Sequence, residues 1–144
     1  MPVNSRELFE DGCWLLNSAE DEARRRSAVS RLYYATYHHV LAHPRLAELG
    51  AEIAAIQDQA RRERRNAPGK HTLLADRLCR SNQRVLRHAG QQLRLLFKRR
   101  VDADYLVGEA FSQQKAADAL DIASELIEEL LPLTAVQPAP ALTP

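Results

Sequence analysis

Glycine is scarce here, at 5 residues in 144, and few β-branched residues stand in alternation with polar ones. That leaves little room for a β-sheet and turns attention to helical spacing. Cysteine is nearly absent. Cys13 and Cys79 lie in apolar surroundings without metal-ligand spacing, so two buried free thiols in a reducing compartment are expected. No stretch approaches 18 uninterrupted apolar residues, which excludes a membrane-spanning helix. The opening MPVNSRELFEDG has no basic segment followed by an apolar run, so it does not read as a signal peptide and a cytoplasmic location is expected.

Lysine is also rare: of 20 cationic residues only Lys70, Lys98 and Lys115 are lysine, and the rest are arginine. Net charge is only +1, which argues against a DNA-coating protein. Arginine offers a planar fork of donors suited to phosphate or carboxylate. A genome rich in arginine codons would give the same bias, so position must decide what each arginine does.

What is present is apolar periodicity. Helices are predicted over Ser5 to Asn17 with Ser5 as N-cap, Glu20 to His43, Pro44 to Arg64, Thr72 to Arg80, Gln83 to Arg99, and from Ser112 as N-cap to about Leu131. The second carries Val29, Tyr33, Thr36, Tyr37 and Val40 on one face. Arg65-Asn66-Ala67-Pro68-Gly69 is the clearest break, and Val101 to Gly108 is expected to be a connector. Trp14 is expected in the core. The fold class is all-α, an up-and-down bundle of about five to six helices over residues 1–131, followed by a disordered Pro-rich tail over 132–144.

Three segments carry a resemblance. Ser30-Arg31-Leu32-Tyr33-Tyr34-Ala35-Thr36-Tyr37-His38 is similar to the S-R-x-Y-Y-A-x-[FY]-H helix of a group of prokaryotic HEPN proteins. Arg99-Arg100-Val101-Asp102-Ala103-Asp104-Tyr105 resembles their R-x-x-A-D-Y stretch, and Gly69-Lys70-His71 resembles the K-H that opens a shorter helix between the two. The resemblance covers roughly residues 5–131. It implies a HEPN-like bundle that dimerises. It also implies metal-independent RNA cleavage in active members, through an R-[NDH]-x(4–6)-H motif whose Arg and His from two protomers share a cleft. The His would act as general acid or base toward the 2′-hydroxyl, and the Arg would stabilise the phosphorane. Some members are toxins paired with a nucleotidyltransferase antitoxin, and others have lost catalysis.

Arg99 and Arg100 stand where the family places its Arg, but no His follows within seven residues; Asp102, Asp104 and Tyr105 stand there instead. Arg-to-His pairs with the required separation occur elsewhere, among them Arg31 to His38, Arg64 to His71 and Arg65 to His71. Only Arg65 is followed by Asn, Asp or His, so Arg65-Asn66 with His71 is the one full motif. Pro68 and Gly69 explain a loop there equally well, and His71 reads otherwise as a solvated helix end.

Arg31 and His38, seven residues apart, form a ridge with Tyr34 nearly opposite the apolar stripe. It can be a solvated face, a cleft floor or a dimer seam; the structural expectation is that Arg31 pairs with Asp102 or Asp104. The candidate catalytic residues are therefore Arg65, His71, Arg31 and His38. The candidate binding residues are Asn66, Lys70, Tyr34, Arg100, Asp104 and Tyr105. Arg24, Arg25 and Arg26 follow Glu20, Asp21 and Glu22, so local pairing accounts for them; the Arg61, Arg62, Arg64, Arg65 patch suits a helix C-terminus or an RNA backbone.

No cofactor or metal is expected. The expected partners are RNA, a second copy of the chain and a cognate nucleotidyltransferase, with no membrane. The leading expectation is a toxin or phage-defence ribonuclease acting as a homodimer. A non-catalytic module binding a nucleotide, RNA or partner protein, and a plain helical assembly subunit, stand beside it.

Overall fold

The computed structural model describes residues 4–18, 21–46 and 48–136. They form six α-helices with no strand among the described residues. These are α1 (Ser5–Asn17), α2 (Glu22–Leu41), α3 (Leu49–Arg62), α4 (Lys70–Cys79), α5 (Arg84–Tyr105) and α6 (Gln113–Val136), with a 3₁₀ turn at Pro44–Leu46 before α3.

Side-chain oxygens start three of them. Asn4, not Ser5, caps α1 by accepting the Glu7 N–H at 2.9 Å, and its amide returns a bond to the Glu7 carboxylate. Asp21 caps α2 by accepting the Arg24 N–H at 2.9 Å. Ser112 caps α6 as its position suggests, accepting from Lys115 N–H at 3.2 Å. The expected third helix is split, because the chain closes a 3₁₀ turn from His43 to Leu46 before it can enter α3. α3 ends with the Arg65 N–H on Ala60 O, the Arg64 N–H on Arg61 O and Arg64 at φ 53°, a Schellman end with an arginine where glycine is usual.

α2, α5 and α6 pack on one another; α1 lies on α2, α4 lies on α5, and α3 leans on α4. α2 is central, so apolar and small residues are buried on more than one of its faces, among them Ala28, Val29, Leu32, Tyr33, Ala35 and Val40. α6 presents Ala116, Ala119, Ala123, Leu126 and Leu130, all fully buried at helical spacing. α1 covers α2 through Phe9, Cys13 and Leu16. Trp14 is not core: it lies about 140° round α1 from Phe9 at helical spacing, and it is 66% exposed. Both cysteines are free and half-buried, and burial pushes the Cys13 thiol up.

Two ends differ from expectation. α5 continues through Val101–Tyr105, where a connector was expected, because its last carbonyls find a donor. Arg26, buried in α2, donates to Asp102 O and Ala103 O at 3.0 Å each and to Glu109 O beyond the helix. Glu22 meets Arg26 at 3.5 Å and accepts the Phe111 N–H, and that bond, ahead of the nearby arginines, holds its carboxyl below the usual range. The Arg26–Glu22 node is thus tertiary, where local pairing was expected. α6 stays helical past Pro132 to Val136; the rest of the expected tail, 137–144, lies outside the described residues. No helix among the described residues is long and apolar enough to cross a membrane.

Candidate functional site

α4 begins at Lys70 with Gly69 as N-cap, so Lys70 and His71 occupy its first turn. α4 packs on α5, and α5 packs on α2, which brings that turn over the tyrosines of α2. Tyr33 and Tyr37, one helical turn apart, stack at 6.2 Å between ring centroids. His71 sits within this aromatic group: 4.7 Å from Tyr37, 5.2 Å from Tyr33, 6.0 Å from Tyr34, and stacked on Phe97 of α5 at 5.2 Å. Its Nδ1 is 2.7 Å from the Tyr33 hydroxyl.

His71 is therefore not the solvated helix end of the local reading. Its pKa is pushed down to about 4, first by burial, then by the neighbouring basic groups of Lys70, Arg100 and His38. At neutral pH the ring is uncharged and keeps one nitrogen lone pair. Burial also raises the Tyr33 and Tyr37 phenols, so both keep their protons.

Arg100 reaches the same place from α5. It donates to the Tyr34 hydroxyl at 2.8 Å, lies 5.2 Å over the Tyr34 ring and 5.6 Å over Tyr105, and its Nε stands 2.9 Å from Asp104 Oδ2. The Arg100 side chain is only 13% exposed, and Asp104 also accepts from the Ser30 hydroxyl at 3.3 Å. Lys70 lies 5.7 Å over the Tyr37 ring, and exposed His38 packs edge-on to Tyr37 at 5.4 Å. Four basic groups thus meet one carboxylate on a floor of aromatic rings. The positive end of α4 faces the same way as its first-turn residues. This combination suits an anionic group attached to an aromatic base.

Of the residues singled out by sequence, His71, Lys70, His38, Tyr34, Arg100, Asp104 and Tyr105 come together. Arg31, Arg65 and Asn66 do not. Arg31 points to α1 and pairs with Asp11 at 3.7 Å, not with Asp102 or Asp104; the arginine that pins the end of α5 is Arg26, and Asp104 belongs to Arg100. Arg65 is exposed, follows the Schellman turn and binds its neighbour Glu63 at 2.7 Å; with Asn66 it lines a surface depression beside Gln57 and Arg61. The Arg65-Asn66…His71 spacing is thus a feature of a loop and not of a cleft.

Sequence reasoning missed Phe97, which stacks on His71, and the role of Tyr33 as its hydrogen-bond partner. Phe97 and Arg100 are three apart on α5, so that spacing was a usable signal.

No family model matches this chain, and no curated protein or solved structure matches it.

Proposed function

We propose that the chain is a HEPN-like protein that acts on RNA as a metal-independent ribonuclease, with Arg100 as the partner of His71. The observation that carries this reading is the convergence of Arg100 from α5 and His71 from α4 on Tyr34 of α2. Neutral His71 takes the 2′-hydroxyl proton, the 2′ oxygen attacks phosphorus, and the 5′ oxygen leaves and is protonated, with His38 at the rim as the available donor. Arg100 and Lys70 offset the charge that grows on the phosphorane oxygens. The tyrosine and phenylalanine rings stack the flanking base. A homodimer that apposes two such sites, in a toxin or phage-defence setting with a nucleotidyltransferase antitoxin, follows from the family resemblance.

A second reading has its own support. A His depressed to about pH 4 is a weak base, and no His follows Arg100 within seven residues. Both favour a non-catalytic module that grips RNA or a nucleotide at the same site.

Incubation of the purified chain with total RNA in EDTA separates the two. Cleavage that persists in EDTA and is lost in both His71→Ala and Arg100→Gln supports the ribonuclease, with Arg65→Gln expected to retain it. Salt-dependent RNA retention without cleavage, lost in Arg100→Gln, supports the binding module. Absence of both cleavage and retention refutes the RNA reading altogether.

A further inference from the structure

Away from the His71 site, α5 and α6 bring together a second cluster. His88 on α5 faces Glu125 and Glu129 on α6, with Nε2 3.7 Å from Glu125 Oε1 and Nδ1 3.6 Å from Glu129 Oε1. One ligand atom from each of the three lies within 4.8 Å of the others. His88 and Arg100 are twelve residues apart on α5, which separates the two clusters by about 18 Å along the helix.

We infer that His88, Glu125 and Glu129 form a binding site for a divalent first-row transition ion, of which zinc is the representative. Three observations carry it. The His–Glu separations are too long for hydrogen bonds, whose usual length is about 2.7–3.2 Å. The two carboxylates face different ring nitrogens, and an ion bonded at about 2.0–2.1 Å takes only one of them, so one glutamate turns its side chain to draw donors now within 4.8 Å to the spacing of about 3.0–3.4 Å.

Glu129 Oε2 is buried with no hydrogen-bond partner, an acceptor left over once its sister oxygen faces His88. Glu125 and Glu129 are one turn apart on the same helix, where like charges repel. Among the described residues no arginine or lysine pairs with either; Gln92 Nε2 approaches Glu125 Oε2 at 3.5 Å and is placed to orient that carboxylate.

One imidazole and two carboxylates suit zinc, iron or cobalt better than magnesium, which prefers oxygen alone and keeps its waters. Three protein donors leave a position for water. The ion would tie the second turn of α5 to α6, independently of what the His71 site binds.

The test uses the full chain stripped with EDTA and titrated with zinc chloride by calorimetry, with cobalt as an absorbance probe and magnesium as a control. One zinc per chain is expected, with a rise in Tm of several degrees and no response to magnesium. His88→Ala and the double variant Glu125→Gln/Glu129→Gln should each weaken zinc binding by at least about tenfold. These side chains are partly exposed, so both variants should fold. The double variant should melt no lower than the stripped wild type, since it removes a like-charge pair. Failure of the wild type to bind zinc overturns the proposal. So does binding that survives His88→Ala, whether or not His71→Ala then abolishes it.

Discussion

Gly90 on α5 lies directly against α4, and replacing it with alanine sets a packing cost against a gain in helix propensity. An added Cβ would lie 2.7 Å from the Cys79 backbone nitrogen, 2.8 Å from Leu78 Cβ and 3.0 Å from the Ala75 carbonyl oxygen. Two of these are main-chain atoms and the third is bonded to one, so no side chain can rotate away; α4 must move as a body. Overpacking of this kind costs about 1–3 kcal/mol. Alanine in a helix interior regains about 1 kcal/mol over glycine. Contacts of 2.7 and 2.8 Å place the packing cost in the upper part of that range, about 2–3 kcal/mol, so it wins and a net loss of about 1–2 kcal/mol is expected for Gly90→Ala.

Gly50, near the start of α3, is the internal control. Its added Cβ would meet only Leu41 Cδ2 at 3.9 Å, an ordinary contact. Gly50→Ala should therefore gain about 0.5 kcal/mol. Urea unfolding followed by far-UV circular dichroism measures both, with unchanged m values showing that the denatured state is not the cause. Since α4 carries Lys70 and His71 while α5 carries Arg100, the proposed RNA site predicts that the shift in Gly90→Ala weakens any RNA retention and that Gly50→Ala does not. A Gly90→Ala protein as stable as the wild type, or a change of the same sign in both variants, would refute the reasoning.

Three further outcomes are expected. His71 binds its proton at about pH 4 folded and about 6.5 unfolded. The unfolded state therefore takes up protons first, and stability present above pH 6.5 is lost as pH falls toward 4. With the ring partly open to solvent, the loss is about 1–2 kcal/mol, and His71→Phe should flatten that part of a pH series of urea midpoints. Arg26→Met removes the donor to Asp102 O, Ala103 O and Glu109 O; it should cost about 3 kcal/mol in urea unfolding and speed hydrogen exchange at the end of α5. Arg64→Gly relieves the left-handed backbone at φ 53° and should raise stability by about 0.5–1 kcal/mol; a drop in Tm would contradict the assigned helix end.

Apolar spacing at 3.6 residues per turn, with breaks at Pro44 and at Pro68-Gly69, was enough to read six helices and the apolar stripe of α2, because a helix's buried face repeats locally along the chain. The Ser112 cap was legible for the same reason: its partner is three residues away. What local pattern could not decide was the fate of groups whose partners are distant in sequence. Arg26 reads as one of three arginines after three acids, yet its acceptors lie 76 to 83 residues further on, and they extend α5 into the expected connector as far as Tyr105.

His71 reads as an exposed helix start, and only the approach of α2 and α5 encloses it among Tyr33, Tyr37 and Phe97. Arg65 has the motif spacing to His71, but the left-handed residue before it turns it toward Glu63, while Arg100, 29 positions beyond His71 in the numbering, arrives beside Tyr34. The sequence by itself determined the helices, since their hydrogen bonds and buried stripes are local. Which basic groups share a site was decided by tertiary packing, since that depends on how three helices cross.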